Sequence, residues 1–315
     1  MKDKWGRCID YLRISVTDKC NFRCRYCMPQ AVPDVCHAEI MRYEEIMNIC
    51  EAAVRAGISK FKITGGEPLV RKRVIPFMQG LKGLNGVNQV TVTTNGMYLE
   101  EHLPALVRMG VDGINISLDQ FEHITGTDGL ERVLAAVKAA AASGIRTKVN
   151  AVLLRQTRSQ ILPLAKLAEE MPVDVRFIEI MPIGFGRFEK GVTEAEVLAV
   201  LRGKYDDLRA DEGVRGNGPA AYYAGAGLRG HIGFIAANTH QFCHACNRMR
   251  LTSTGFLKPC LCYDAGVDLK PIVRGQSNMT LAEAFARAIG EKPSGHCFSD
   301  RSEITEIKTM KQIGG

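Results

Sequence analysis

Six short segments rich in β-branched residues recur along the first part of the chain and alternate with helical patterns. They are Tyr11–Val16, Ser59–Ile63, Gln89–Thr93, Gly113–Ser117, Thr147–Leu153 and Asp174–Ile180. Between them, apolar residues recur at helical spacing, as at Ile46, Ile49 and Ala53. Six strand–helix units are too few for a closed eight-stranded barrel, and no Gly-x-Gly-x-x-Gly motif follows the first strand. The pattern predicts an α/β fold built on a partial, TIM-like (β/α)6 barrel.

The strand–helix alternation stops near Gly184. A helix over Val192–Leu201 is followed by the glycine-rich stretch Arg215–Gly230, which we interpret as a boundary or flexible connection. We therefore predict three parts. Residues 1–183 form the barrel, residues 184–230 a helix and connecting segment, and residues 231–315 a C-terminal region.

Composition excludes several classes of protein. Hydrophobic residues make up 46% and charged residues 24% of the 315 residues, as in globular proteins. No apolar run approaches the roughly 20 residues of a membrane span, and the first residues lack the apolar core of a secretory signal. The net charge of +7 comes without a basic stripe interleaved with aromatics, so we expect no nucleic-acid partner. Eleven unevenly placed cysteines indicate metal binding in a reducing compartment, the cytoplasm.

Polar residues recur where successive predicted strands end. These stretches are Thr64-Gly65-Gly66-Glu67-Pro68, Thr93-Thr94-Asn95-Gly96, Ser117-Leu118-Asp119, Lys148-Val149-Asn150 and Glu179-Ile180-Met181-Pro182. In parallel α/β folds the carboxyl ends of strands meet at one edge, where binding and catalysis gather. The recurrence therefore predicts a single site at that edge.

Two sets of three cysteines flank this predicted site. Cys20, Cys24 and Cys27 follow the first strand with Cys-x3-Cys-x2-Cys spacing, and Cys243, Cys246 and Cys260 lie near the other end. A structural zinc ion takes four ligands, so a zinc reading of the second set needs an outside ligand such as His244 or Cys262, and we also consider Cys297. Three thiolates instead suit a [4Fe–4S] cluster with one iron left open, because four cysteines are the usual complement.

The first loop resembles the signature of the radical S-adenosylmethionine (radical SAM) enzymes. The longer string from Arg13 to Cys24, and Cys246-Asn247-Arg248-Met249-Arg250 near the second set, are similar to the GTP 3′,8-cyclases of molybdenum cofactor biosynthesis. The resemblance implies a radical SAM barrel and two [4Fe–4S] clusters. The first cluster would bind S-adenosylmethionine, and the second would meet the purine of GTP.

The same resemblance implies roles for individual residues. Tyr26, Gly66, Ser117 and Met181 would contact S-adenosylmethionine. The GTP contacts would be Arg13, Lys60, Lys62, Thr93, Lys148, Arg176, Arg248, Met249 and Arg250. Cations near the strand ends suit a triphosphate, which carries about four negative charges and favours charge-assisted bonds. Lys62 departs from the family, which usually has arginine there, so a point charge replaces a planar fork. The tail Gly314-Gly315 would reach into the active site and contribute to catalysis.

The implied reaction begins with cleavage of S-adenosylmethionine to methionine and a 5′-deoxyadenosyl radical. That radical removes the ribose H3′ of GTP, and the C3′ radical attacks C8 of guanine. One further electron, from the implied electron donor, and a proton then give (8S)-3′,8-cyclo-7,8-dihydro-GTP. The implied partners are a flavodoxin or ferredoxin as electron donor, a downstream cyclic pyranopterin monophosphate synthase, and a second copy of the chain in a homodimer.

Two alternatives remain open from the sequence. Another radical SAM enzyme with an auxiliary cluster, such as a peptide-modifying maturase, predicts more C-terminal cysteines and no basic set at the strand ends. A non-catalytic metal-binding interaction protein predicts zinc without iron.

Overall fold

The structure, a computed structural model, describes residues 1–28, 35–119, 125 and 128–314. These residues contain one twelve-stranded sheet whose eight central strands are parallel. The strands are β1 (Tyr11–Ser15), β2 (Lys60–Thr64), β3 (Gln89–Thr94), β4 (Gly113–Ser117), β5 (Thr147–Leu153), β6 (Asp174–Glu179), β7 (Arg209–Asp211), β8 (Ala221–Ala224), β9 (Ile232–Ile235), β10 (Arg248–Leu251), β11 (Phe256–Lys258) and β12 (Val267–Asp268). Strands β1 to β6 lie side by side in chain order, which confirms the six predicted strands.

Helices follow most of the central strands. They are α1 (Tyr43–Arg55), α2 (Val74–Lys82), α3 (Leu99–Arg108), α4 (Leu130–Ala142), α5 (Ile161–Glu170), α6 (Glu194–Arg202), α7 (Lys270–Val273) and α8 (Leu281–Gly290). Neighbouring helices contact each other along α1 to α4, and α8 packs against α1. The predicted start of α6 at Val192 is wrong, because the Thr193 side chain accepts the N–H of Glu196 in a capping box and the helix begins after it.

The two faces of the sheet differ in chemistry. Leu12 and Ile14 of β1 are fully buried on the helix-facing side, whereas Arg13 between them points to the inner side. On a flat sheet, β2 and β6 would lie about 19 Å apart. Yet Arg176 of β6 lowers the pKa of Lys62 of β2, so the sheet curves and its inner face closes around a polar interior.

Strands from the C-terminal part of the chain extend both edges of the barrel. Strand β9 pairs in parallel with β6 and continues into antiparallel β8 and β7, while β10 pairs in parallel with β1. The segment 215–230, which we interpreted as a connection, contains strand β8. The β-forming pair Tyr222-Tyr223 is short and lies between alanines in a glycine-rich stretch, so the sequence pattern does not mark it as a strand.

The C-terminal segment docks through a buried ion pair. Lys258 Nζ contacts the Glu306 carboxylate, and both side chains are 1% exposed. Beyond it, Ile313 is fully buried in a small apolar cluster with Ile183 and Phe298. The C-terminal segment is therefore held at two points, Glu306 and Ile313, before its last described residue, Gly314. None of the helices in the described ranges has the length and apolar character that a bilayer crossing requires.

Candidate active site

The first cysteine loop leaves the carboxyl end of β1 and is held against the loop after β2. The Gly66 N–H donates to the Thr17 carbonyl at 2.7 Å, and the Glu67 N–H donates to the Lys19 carbonyl at 2.8 Å. A Cβ added at Gly66 would lie 2.5 Å from the carbonyl oxygens of Asp18 and Lys19. Only glycine permits this approach. The glycine pair therefore fixes the chain just before the first cysteine.

The thiols of Cys20, Cys24 and Cys27 are partly buried and influence one another's pKa. Burial raises the pKa of Cys20 to about 11 and that of Cys27 to about 12. Burial also raises the pKa of Cys24 well above its ordinary value, and Asp119 and the other two cysteines raise it further. Iron binds the thiolate form of cysteine. A positively charged metal group would offset the cost of burying these negative charges and so favour the thiolates.

N–H groups are directed at two of these sulfurs. Cys20 Sγ accepts from the Phe22 N–H at 3.4 Å and from Asn95 Nδ2 at 3.8 Å. The backbone N–H of Lys311, in the C-terminal segment, bonds to the sulfur of Cys27. Hydrogen bonds to sulfur tune iron–sulfur clusters. Three thiols with N–H donors therefore fit a [4Fe–4S] cluster that keeps one open iron.

Each thiolate of such a cluster binds a different iron, so its ligands stand farther apart than those of a zinc ion. Within the described ranges, no three His, Cys, Asp or Glu side chains converge on one ion position.

The buried carboxylate of Glu67 connects the ends of β2 and β3 to the cysteine loop. It accepts from Thr94 Oγ1 at 2.8 Å, from the Asn95 N–H at 2.6 Å and from the Leu69 N–H at 2.9 Å. Burial raises its pKa to about 7, against the effect of these hydrogen bonds. Asn95 Nδ2 also donates to Asn21 Oδ1 at 2.8 Å, inside the loop. This network sets the position of the loop relative to both strands.

The predicted S-adenosylmethionine residues all lie at the carboxyl ends of strands. The Tyr26 hydroxyl donates to Asp119 Oδ2 at 2.5 Å, and the Val152 N–H donates to Asp119 Oδ1 at 2.7 Å. Burial raises the pKa of Asp119 to about 6, so this carboxylate is ionised at neutral pH and accepts both bonds. Ser117 ends β4. Met181 follows β6 and packs against the apolar cluster around the tail.

Deeper on the inner face lies a group of cations that we name the cationic chamber. Its members are Arg13, Lys62, Lys148, Arg176, Arg248 and Arg250. Across β10, β1 and β2, Arg250, Arg13 and Lys62 occupy the same register. Among the described residues, only Lys148 of this group forms an ion pair, with Asp174 at 3.2 Å.

Burial and mutual repulsion work against the charges of the chamber. Burial, with the neighbouring arginines, lowers the pKa of Arg13 to about 10 and that of Arg250 to about 9. The same two causes lower the pKa of Lys148 to about 8 and that of Lys62 well below its ordinary value. Arg13 Nε is buried without a hydrogen-bond partner. Uncompensated cations around a polar cavity are the complement of a polyanion.

A ladder of side chains across four strands orients one of these cations. Arg176 Nε donates to Asn150 Oδ1 at 2.8 Å, and Arg176 Nη2 donates to Asn115 Oδ1 at 3.0 Å. Asn115 Nδ2 donates in turn to Thr93 Oγ1 at 3.3 Å. The ladder fixes the guanidinium without neutralising it and brings the predicted Thr93 into the same interior.

Three placements differ from the predicted GTP site. The chamber extends toward the amino ends of the strands, since Lys148 and Arg176 are the second and third residues of β5 and β6. Lys60 begins β2 and pairs with Asp10 at 2.7 Å instead of standing unpaired. Met249 alternates with its arginine neighbours and is fully buried on the helix-facing side, so its side chain does not reach the inner face.

The second cysteine set lies at the amino end of β10, beside the chamber. Cys243 Sγ accepts from the His296 N–H at 3.4 Å, and Cys246 Sγ accepts from Arg248 Nη2 at 3.9 Å. Although burial opposes it, the cations Arg248 and Lys292 lower the pKa of Cys246 to about 7. This donor set, like the first, has three thiols and N–H groups directed at sulfur. These three thiols could hold an iron–sulfur cluster as the first set could.

The C-terminal tail reaches the interior of the barrel. The Gly314 carbonyl accepts from Arg250 Nη1 at 3.4 Å, and a Cβ added at Gly314 would lie 2.8 Å from Ser15 Cβ. Its φ of +75° is also a conformation that favours glycine. Gly315 lies outside the described residues. The tail therefore touches the chamber and, through Lys311, the first cysteine loop.

Sequence reasoning missed two polar residues of this interior, Tyr11 and Asn115. Tyr11 is 5% exposed and lies on the inner face in register with Arg248. Asn115 accepts a hydrogen bond from the guanidinium of Arg176. Asp119 was predicted at the end of its strand, but its bond to the Tyr26 hydroxyl was not. A strict period of two along β1 and β4 would have found Tyr11 and Asn115.

Comparison with known proteins agrees with this arrangement. Residues 14–168 match the Radical SAM superfamily, and residues 173–298 match Molybdenum Cofactor Synthesis C. The GTP 3′,8-cyclase of Clostridium perfringens (strain 13 / Type A) is 39% identical over 323 residues, and that of Heliobacterium modesticaldum is 40% identical over 327 residues. Both alignments cover 100% of each chain.

A solved structure shares the fold at low identity. Streptococcus suis SuiB bound to S-adenosylmethionine superposes with a TM-score of 0.63 at 14% identity, over 97% of this chain and 77% of that chain. With full-length relatives at about 39% identity, the chain belongs to the GTP 3′,8-cyclase family of radical SAM enzymes.

Proposed function

We propose that this protein is a radical SAM lyase that converts GTP to (8S)-3′,8-cyclo-7,8-dihydro-GTP, with 5′-deoxyadenosine and methionine as co-products. This is the first step of molybdopterin (molybdenum cofactor) biosynthesis. The observation that carries the proposal is the cationic chamber, which lies between two three-cysteine loops and in which, among the described residues, only Lys148 has an ion-pair partner.

In this proposal Cys20, Cys24 and Cys27 hold a [4Fe–4S] cluster that, when reduced, supplies the electron for cleavage of S-adenosylmethionine. The chain's own task at this end is orientation. The backbone of Gly66, the Tyr26 hydroxyl held by Asp119, and the side chains of Ser117 and Met181 surround S-adenosylmethionine. Tyr26 is half-buried and fixed by a short hydrogen bond, so it presents one face to the ligand.

The chamber binds and orients GTP. Arg13, Lys62, Lys148 and Arg176 surround the triphosphate, whose charge offsets the repulsion that lowers the pKa values of these groups. Thr93 adds a hydroxyl at the end of the ladder opposite Arg176. Lys60 contributes at the rim only if its ion pair with Asp10 opens, and Met249 contributes only through its backbone.

The purine end of GTP faces the second cysteine set. We propose that Cys243, Cys246 and Cys260 hold a second [4Fe–4S] cluster whose open iron meets the guanine. Arg248 and Arg250 flank it, and Arg248 is directed at the sulfur of Cys246. The tail then places Gly314 and Gly315 against the substrate, because Arg250 already bonds the Gly314 carbonyl.

The wider setting is also part of the proposal. Residues 1–183 generate the radical, residues 184–230 connect, and residues 231–315 hold the second cluster and the tail. We propose a homodimer in the cytoplasm that receives electrons from a flavodoxin or ferredoxin. Its product passes to a cyclic pyranopterin monophosphate synthase.

The test is anaerobic incubation of the reduced, iron-loaded protein with GTP and S-adenosylmethionine. We expect 5′-deoxyadenosine and the cyclised nucleotide in equal amounts, and about eight irons per chain. Arg176→Gln should lower GTP conversion at least tenfold, about the effect of one charge-assisted hydrogen bond, while exposed Arg209→Gln on β7 serves as the matched control. Deoxyadenosine without GTP conversion would overturn the substrate, and zinc without iron would overturn the enzyme class.

A further inference from the structure

Two cysteines outside both triplets meet in the core beside the second triplet. Cys262 Sγ and Cys297 Sγ lie 2.7 Å apart, and the Cys297 N–H is 3.4 Å from Cys262 Sγ. Both side chains are inside the protein, at 0% and 6% exposure. A disulfide needs two sulfurs that approach about 2.05 Å, and these need move by less than 1 Å. The backbone therefore already brings the two thiols to bonding position.

The pair joins the two chain segments that carry and contact the second triplet. Cys262 lies two residues after Cys260. Cys297 follows His296, whose N–H is hydrogen-bonded to Cys243 Sγ at 3.4 Å. A bond between the two sulfurs would therefore connect the neighbourhoods of two proposed cluster ligands across 35 positions of sequence.

The surroundings favour a covalent pair over a metal site. The two thiols pack in an apolar cluster with Ile183, Phe298 and Ile313, where each thiol contacts the other. The Tyr263 side chain also hydrogen-bonds to Cys297. Buried thiols without metal or charge behave as small apolar groups, and their remaining chemistry is oxidation.

We propose that Cys262 and Cys297 form a reversible disulfide that clasps the second cysteine loop to the C-terminal segment. The oxidant is a low-molecular-weight disulfide such as oxidised glutathione. The Cys297 thiolate attacks one sulfur of the oxidant and forms a mixed disulfide with it, and the other sulfur of the oxidant leaves as a thiolate. The Cys262 thiolate then attacks the mixed disulfide at Cys297 and releases the second thiolate. Two cysteine thiols are oxidised to one disulfide, one oxidant is reduced to two thiols, and the two protons pass to the leaving thiolates.

The reaction starts at Cys297, which is the more exposed thiol and lies in a segment of turns and bends. The oxidant reaches Cys297 when this segment opens locally. Disulfide formation is therefore slow compared with exchange at a surface cysteine. Once formed, the bond constrains the 35-residue separation and holds Cys260 near Cys243 when iron is absent. The inference stands on these two thiols and does not require the proposed reaction.

The experiment uses the full-length, iron-loaded protein and a portion from which iron has been removed by chelation. Both are equilibrated anaerobically in glutathione buffers of increasing oxidised fraction, blocked with iodoacetamide, and digested without reduction for mass spectrometry. We expect a peptide pair linked through Cys262 and Cys297 that appears in both samples as the buffer becomes more oxidising and disappears after reduction.

Three variants make the result specific. Cys297→Ser and Cys262→Ser should abolish the linked pair, whereas Cys36→Ser, at an exposed cysteine, should leave it unchanged. If a single variant fails to fold, Cys262→Ala combined with Cys297→Ala tests the same link in an apolar site. Alkylation of both thiols at every glutathione ratio, or a link from either one to Cys260, would overturn the proposal.

Discussion

Binding of GTP in the cationic chamber should take up protons from solution above pH 8. Burial, with Arg176 nearby, lowers the pKa of Lys148 from 10.5 to about 8, and Asp174 offsets only part of this effect. A bound polyanion favours the charged lysine, so its pKa rises and the protein binds a proton. The sign is therefore uptake, not release.

The size of the uptake follows from these pKa values. At pH 8 about half of Lys148 is neutral, so restoring its pKa to 10.5 takes up about 0.5 proton per GTP. At pH 9 the uptake from Lys148 is about 0.9 proton, and at pH 7 it falls to about 0.1. Arg250, with a pKa of about 9, adds to the uptake as the pH rises further. The triphosphate adds no protons of its own here, since phosphate groups ionise near pH 6.

Calorimetry of GTP binding in two buffers with different ionisation enthalpies measures this quantity directly. The titrations are anaerobic and lack S-adenosylmethionine, so that no turnover occurs. Lys148→Met should remove about half a proton of the uptake at pH 8, whereas Lys138→Met, at an exposed position of α4, should leave it intact. A binding enthalpy independent of buffer at pH 8 and pH 9, or an uptake unchanged by Lys148→Met, would refute the reasoning.

The lowered pKa of Lys148 also makes the stability of the folded protein depend on pH. Between pH 8 and pH 10.5 the unfolded chain holds the Lys148 proton and the folded chain has lost it. Lys148 therefore makes the free energy of unfolding of the ligand-free protein increase as the pH rises through this window. In denaturant titrations across that range, the free energy of unfolding of the wild type should rise with pH more steeply than that of Lys148→Met.

Three other changes test the positions of the loops and the tail. Lys258→Met leaves the Glu306 carboxylate buried without its cation and should lower the free energy of unfolding by about 3–5 kcal/mol in denaturant titrations. The double variant Lys258→Met with Glu306→Leu should recover most of that loss, and no recovery would argue against an ion pair there. Gly66→Ala places a methyl group 2.5 Å from two backbone carbonyls, so we expect a loss of about 1–3 kcal/mol and weaker S-adenosylmethionine binding by equilibrium dialysis. Asp119→Asn weakens the bond that orients the Tyr26 hydroxyl and should lower S-adenosylmethionine affinity about tenfold, whereas unchanged affinity would remove Tyr26 from the site.

Local patterns predicted the barrel well because its six strands are consecutive in sequence and in space. The predicted ends of the strands differ from the observed ones by one residue or none. Alternation along a strand also assigns faces, and it would have assigned Met249 to the core side, between two inward arginines. The GTP role of Met249 was implied by the family resemblance. A resemblance assigns roles to a whole motif and does not say whether a residue acts through its side chain or its backbone.

Contacts between distant segments were not predictable in the same way. Nothing near Lys60 in the sequence marks Asp10 as its partner, and nothing near Lys311 marks Cys27. Such pairs depend on how the sheet curves and on where the tail docks, and both are properties of the complete fold. The cysteine sets were recognisable because their spacing is local and chemically specific, whereas the charge balance of the chamber appears only once all its strands are assembled.

Pairing of β1 with β10 also has a consequence for how the protein is made. The strand that precedes the first cysteine loop emerges early from the ribosome, but its edge partner is among the last strands to be synthesised. At 5–20 residues per second this delay is roughly 10–50 s. During that interval one edge of the nascent sheet stays unpaired and open to association with other chains. The strand that leads into the first cysteine loop therefore reaches its final pairing on both sides only after most of the chain has been synthesised.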